Sequence, residues 1–298
     1  MFQSCEICGK ADWQTQYQGR VRDGSFGNLS EDDCIVARCG ECGVERLNES
    51  GCKNSDIYET EAYRRLLKEP DDVDGFMAAH DAIQLRNLIY LWPESLRSKV
   101  IADIGCAAGS FLDHVSGLAR KIIAVEPCKV YHESLDERGY QVYAFTNEAA
   151  EDWAGRCDFS FCFSVIEHVD NPRTLLEEIR SLMAPKGKLI VSTPNRRDIM
   201  MDLKTPDYPR FFYRTVHRWY FDVDAFKYCA NAAGLRVIDA QCVHRFGLSN
   251  AMAWMRDSRP TGSAFLPHMD DPILDNFWKG YLESKGVGDY LYFKLEKR

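Results

Sequence analysis

The chain has 298 residues, 45% hydrophobic and 28% charged, with a formal net charge of −8. That length holds one large α/β domain and a small module, and the acidic balance excludes a broad nucleic-acid or anionic-membrane footprint, which needs clustered Lys and Arg. No apolar run approaches the roughly 18 residues that span a bilayer, and Met1 to Cys5 carries no basic and apolar leader, so a cytoplasmic chain without a membrane span is expected.

The first segment, 1–54, contains two C-x-x-C pairs, Cys5-Glu-Ile-Cys8 and Cys39-Gly-Glu-Cys42, in a loop-rich stretch with little room for a core. Four thiolates in two such pairs make a tetrahedral zinc site, and Gly9, Gly40 and Gly43 permit the turns that present them. One structural Zn²⁺ on Cys5, Cys8, Cys39 and Cys42 is therefore expected, against the alternative of four free cysteines. Four sulfurs leave no open position for catalysis. The other eight of the twelve cysteines are scattered, many in apolar runs, which suits a reducing compartment.

Segment 55–98 reads as a helical linker. Ser55 to Glu69 and Gly75 to Trp92 have helical periodicity, the second through Phe76, Ile83, Leu85, Leu88 and Ile89, with Pro93 ending it; this helix also carries His80, a substrate candidate. From residue 99 strands near 99–104, 121–126, 141–145, 157–163 and 188–193 alternate with helices near 110–119, 129–138, 148–153 and 172–183. This is the doubly wound α/β pattern. Strand-like Leu235 to Cys242 and Asp289 to Leu295 follow a helix at Asp224 to Ala233. Segments 195–222 and 247–286 are insertions rich in aromatic, Arg and His residues, expected at the carboxyl edge of the sheet where ligands bind.

Val100 to Leu112 reads as a buried strand, a glycine turn and a helix start, and Glu126 closes the next apolar run. Such a turn brings backbone N–H groups to a ligand, and an acid about 20 residues on grips a ribose diol, which points to an adenosine-containing cofactor. The G-x-G-x-x-G spacing of a pyrophosphate site is absent.

Asp103-x-Gly105-x-x-x-Gly109 instead resembles motif I of the class I S-adenosylmethionine-dependent methyltransferases, and Glu126-Pro127 resembles their motif II. Ser164-Val-Ile-Glu167-His168 and Pro185 to Asn195 resemble later motifs of that family, so the resemblance spans about 99–245. It implies a Rossmann-like seven-stranded sheet whose last strand is antiparallel. It also implies that Gly105, Cys106, Ala107 and Gly109 surround the methionine part of S-adenosylmethionine, with Asp103 orienting that loop or, indirectly, the cofactor amine. Glu126 and Pro127 would take the ribose, Thr146 or Asn147 the adenine, with Ser164 alongside. At Ala107, where the family commonly has glycine, a small residue fits if its φ is negative.

Methyl transfer is an in-line displacement, so the protein aligns the nucleophile and, where needed, removes its proton. His217 in the first insertion and His168 are the base candidates, the alternative being a hydrogen bond to substrate for His217 and loop bracing for His168, and Tyr220 is placed to present a hydroxyl. Asn195, Arg218, Asn250, Trp254 and Arg256 are further substrate candidates, with helix packing as the alternative for the last three. A four-cysteine module before this core resembles sugar methyltransferases, so the expected acceptor is a hydroxyl or carbon of a nucleotide-linked or polysaccharide sugar. The alternatives are a zinc-ribbon RNA methyltransferase and a non-catalytic cofactor-binding scaffold. Five Lys or Arg against nine Asp or Glu within 1–52 make that module a poor phosphate reader and disfavour RNA.

Overall fold

The computed structural model describes residues 2–91, 94–203, 205, 207–258, 266 and 268–298. Pro93 and part of the 247–286 insertion lie outside the described residues.

The amino-terminal strands are β1 (Trp13–Gly19), β2 (Cys34–Cys39) and β3 (Glu45–Leu47), followed by helices α1 (Ala62–Leu67) and α2 (Val73–Asn87). Asp72 caps α2 by accepting from the Gly75 N–H. The alternating region runs β4 (Val100–Ile104), α3 (Ser110–Val115), β5 (Lys121–Val125), α4 (His132–Glu137), β6 (Gln141–Tyr143) and α5 (Thr146–Trp153). It continues through β7 (Cys157–Phe163), α6 (Pro172–Leu182) and β8 (Met183–Pro194). The first insertion holds α7 (Ile199–Asp202), α8 (Tyr208–Phe212) and β9 (Trp219–Tyr220). Then come α9 (Val223–Ala232), β10 (Leu235–Val243), α10 (Leu248–Asp257), α11 (Pro272–Lys285) and β11 (Tyr290–Lys297).

The large sheet has the order β10-β11-β8-β7-β4-β5-β6. Strands β4 to β8 pair in parallel, and β11 pairs antiparallel with both β8 and β10. β4 is buried along its whole length, as a central strand covered by helices on both faces must be. This is the expected seven-stranded Rossmann-like sheet.

A second sheet, β1-β2-β3-β9, differs from a module that closes within 1–54. Its last strand is lent by the insertion, with Glu45 paired to Tyr220 and Arg46 to Trp219. Cys5, Ile7, Cys39, Cys42 and Val44 share one apolar cluster with Trp219, Phe221 and Phe226. A segment too small for its own core thus borrows one. Among the described residues, no helix is long and apolar enough to cross a membrane.

Candidate active site

The carboxyl ends of parallel strands leave backbone groups free at one sheet edge, and the glycine turn lies there after β4. Gly105 and Gly109 have φ of +73° and +83°. A Cβ on Gly105 would stand 2.4 Å from Val165 Cγ2, so glycine is required on two counts. Ala107 also adopts left-handed backbone, at φ +48°, which corrects the negative φ expected there. Its methyl group is tolerated because Glu126 fixes the turn: Oε2 accepts from the Ala107 N–H at 2.7 Å, and Oε1 accepts from the Cys128 N–H at 2.9 Å.

A carboxylate accepts about four hydrogen bonds, so each Glu126 oxygen keeps a lone pair for a vicinal diol. Burial pushes this carboxyl up to about 7, against the opposing pull of the two N–H groups. Burial, and then the charge of Glu126, raises Asp103 well above the usual carboxylate range. Two adjacent buried acids suit a ligand that brings hydroxyl donors or positive charge. Cys106 is buried, Pro127 half-buried, and Thr146 buried with Asn147 exposed in the first turn of α5. Ser164, at φ +56°, bonds the Tyr290 hydroxyl. His132, not anticipated from sequence, braces the site with Nε2 2.6 Å from the Glu126 carbonyl oxygen.

One wall joins β7 to the first insertion. Ligating atoms of Glu167, His168 and His217 all lie within 4.8 Å of one another. His168 Nδ1 is 2.7 Å from the Val216 carbonyl oxygen, and the Tyr58 hydroxyl donates to that oxygen at 2.8 Å. A ring that donates from Nδ1 keeps Nε2 as an acceptor. Burial pushes His168 down to about 3, while burial followed by the Arg214 charge holds His217 well below the usual histidine range. Both imidazoles are therefore neutral. The spacing would admit a metal cation, but Arg214 Nη1 sits 3.3 Å from His217 Nε2 and repels one.

Several sequence candidates are occupied elsewhere. The Tyr220 hydroxyl accepts from the Arg214 N–H at 2.8 Å and donates to the Arg214 carbonyl at 3.2 Å, so it positions that residue. Asn195 Nδ2 donates to the Gly288 carbonyl at 2.7 Å and joins β8 to the entry of β11. Arg218 lies in ion pairs with Glu49 and Asp170, on a separate cavity of about 540 Å³ that Arg46 also lines. His80 stacks on Phe76 at 4.0 Å. On α10, Trp254 packs against Tyr208 and Phe211, Asn250 is half-buried, and exposed Arg256 pairs with Asp257.

The four amino-terminal cysteines come together. Cys5 Sγ is 3.6 Å from Cys42 Sγ and Cys8 Sγ is 3.4 Å from Cys39 Sγ, with all four inside 4.8 Å. Tetrahedral zinc with Zn–S near 2.3 Å requires sulfurs about 3.8 Å apart, so the set fits. Gly9 and Gly43, at φ +74° and +73°, close the two knuckles by donating to Cys5 O and Cys39 O.

A family model described as a methyltransferase domain matches residues 77–240, more than half of the chain. The chain belongs to the class I S-adenosylmethionine-dependent methyltransferase family. Ubiquinone biosynthesis O-methyltransferases are among its relatives. The protein of Aeromonas salmonicida (strain A449) is 27% identical over 216 residues, 66% of this chain and 89% of that one. That of Xanthomonas axonopodis pv. citri (strain 306) is 30% identical over 158 residues, covering 48% of this methyltransferase and 64% of its relative. In the Histophilus somni (strain 2336) protein, 24% identical, the match spans 66% of the length. The fold is shared with a chain from the complex between the Haloferax volcanii Trm112 methyltransferase activator and a methyltransferase. There the TM-score is 0.50 at 9% identity, covering 76% of this chain and 97% of that one.

Proposed function

We propose that this methyltransferase acts on a hydroxyl of a small-molecule acceptor bound against His217, and that the acceptor is a sugar, nucleotide-linked or part of a polysaccharide. The observation that carries this reading is the pair of neutral imidazoles beside Glu167, at the end of the strand that leads into Ser164. Bound S-adenosylmethionine supplies an electrophilic sulfonium methyl group. Asp103 and residues Gly105 to Gly109, with Cys106 and Ala107, would hold its methionine part, Glu126 and Pro127 the ribose, and Thr146 or Asn147 the adenine. Ser164 would line the space between donor and acceptor.

Once the acceptor draws Arg214 Nη1 away from its Nε2, His217 takes the proton that the acceptor hydroxyl loses, and His168, fixed by Val216 and Tyr58, packs edge-on against it at 4.7 Å and keeps it oriented. The names of the relatives, O-methyltransferases of ubiquinone biosynthesis, support oxygen over carbon as the accepting atom. The sugar itself rests on the resemblance of the four-cysteine arrangement, and we assign to that cluster one structural zinc. The acidic amino-terminal module weighs against RNA.

Turnover with a panel of nucleotide sugars and sugar phosphates, followed by mass spectrometry of the product, tests the reading. A methylated sugar formed by the wild type and lost in His217→Ala, with S-adenosylhomocysteine affinity intact, supports it. Methyl incorporation into RNA alone would return the competing assignment, and absence of turnover on any acceptor would favour a binding scaffold.

A further inference from the structure

Arg22 and Arg214 stand side by side in the wall that carries His217. A parallel β-bridge joins them although they are far apart in sequence, with the Arg22 N–H donating to the Tyr213 carbonyl at 3.1 Å and the Thr215 N–H to the Arg22 carbonyl at 2.9 Å. The Arg22 guanidinium lies over the Phe211 ring, 4.2 Å from its centre. Arg214 reaches His217. Both Nε atoms are sealed from solvent without a hydrogen-bond partner.

Among the described residues, neither guanidinium has an Asp or Glu oxygen within 4.0 Å. Arginines shielded from solvent elsewhere in the molecule do: Arg46 meets Glu49 at 2.7 Å, Arg218 meets Asp170 at 3.0 Å and Arg196 meets Glu45 at 3.3 Å. Both residues are half-buried, and a charge drawn partly out of water without a counter-charge is costly, the more so beside one of like sign. Burial first and Arg214 second hold Arg22 down to about 9. Paired guanidinium forks match the oxygens of a carboxylate or phosphate.

We propose that Arg22 and Arg214 form an oxyanion site for the acceptor, so that the substrate carries a phosphate or carboxylate close to the hydroxyl that is methylated. The proposal rests on the reading of this cleft as the acceptor site and narrows it to anionic acceptors. It assigns the first insertion a recognition role through Arg214 and gives the amino-terminal module, through Arg22, a direct contact with substrate. An oxyanion on Arg214 also cancels one of the positive charges that weaken the neighbouring His217 as a proton acceptor.

Calorimetric titration of the protein saturated with S-adenosylhomocysteine, using inorganic phosphate in one arm and malonate in the other, tests the site. Binding of either probe to the wild type is expected, with Arg22→Gln and Arg214→Gln each weakening it about tenfold or more. Arg214→Lys, which keeps the charge and loses the fork, should weaken it less. The arm that binds more tightly identifies phosphate or carboxylate as the group recognised. The melting temperature of the glutamine variants without anion should not fall, since an uncompensated charge has been removed. Failure of both probes to bind, or unchanged binding in both glutamine variants with S-adenosylhomocysteine affinity intact, would overturn the proposal. Anion binding that both glutamine variants lose, together with full turnover in His217→Ala, would instead overturn the reading of this cleft as the acceptor site while leaving the oxyanion site standing.

Discussion

The Glu126 carboxylate and the Ala107 N–H are joined by a 2.7 Å hydrogen bond that ties the glycine turn to the end of the neighbouring strand. It holds an alanine in a conformation that costs an L-residue about 1–2 kcal/mol.

Ala107→Gly should consequently be neutral to about 1 kcal/mol stabilising, because relief of left-handed strain is partly offset by the freer unfolded chain. Ala107→Val adds a β-branched side chain at the same φ in a buried position and should cost more than about 2 kcal/mol. Urea denaturation of both variants checks this; a valine variant as stable as the wild type would contradict the observed backbone.

Glu126 sets a pH dependence whose sign is fixed. Its carboxyl is raised to about 7 in the fold against 4.5 ordinarily, so between those values the folded chain keeps a proton that the unfolded chain has released. Its contribution to stability is therefore complete below about 4.5 and lost as pH rises through 7. Asp198 and Glu167, raised chiefly by burial to about 7, act in the same direction. The ligand-free protein should melt at a lower temperature at about pH 7.5 than at about pH 5.5, a step across the upper part of the fall. Ribose hydroxyls donate to the ionised form, so S-adenosylhomocysteine affinity should rise over the same interval with proton release. Glu126→Gln should weaken affinity and flatten its pH dependence, and an equally steep dependence in that variant would exclude Glu126 as its source.

Replacing His217 by alanine should lower kcat by about 10² to 10⁴ if it removes the hydroxyl proton, with little change in S-adenosylhomocysteine affinity. His168→Ala should have a smaller effect, since its Nδ1 side is committed to the Val216 carbonyl. Single-turnover rates distinguish the two. Full activity in both variants would remove the pair from the chemistry.

Metal analysis should find close to one zinc per chain, as four thiolates closing one site require. Stripping it with a chelator should lower the melting temperature of the whole protein in one transition, because the cysteine knuckles share an apolar cluster with Trp219, Phe221 and Phe226. A metal-free preparation with the same melting temperature would refute a structural ion.

The centre of the sheet was legible because β4, β5 and β7 are short, mostly buried apolar runs, and the turn because Asp103, Gly105 and Gly109 have a spacing that few other sites need. What escaped were relationships that no local pattern carries. Trp219–Tyr220 is too short to read as a strand and acquires its partner 174 positions away at Glu45–Arg46. Tyr220 and Asn195 looked available for substrate because their types are polar and their segment faces the ligand edge. Their hydrogen-bonding capacity is spent on Arg214 and on the turn before β11. Glu167 lies within the Ser164 to His168 motif with nothing local to mark a role, and its burial against two histidines depends on a loop that folds back from beyond β8. Arg22 and Arg214 carried no signal in sequence, since what sets them apart is a missing carboxylate in space.

The lent strand changes what the cysteine cluster can control. His217 lies two residues before Trp219, and Trp219–Tyr220 completes the sheet that holds Cys34–Cys39. On the proposed reading, an ion at the knuckles would moor the acceptor loop: partial demetallation should first appear as a higher acceptor KM, while affinity for the methyl donor, assigned to the other sheet, stays level.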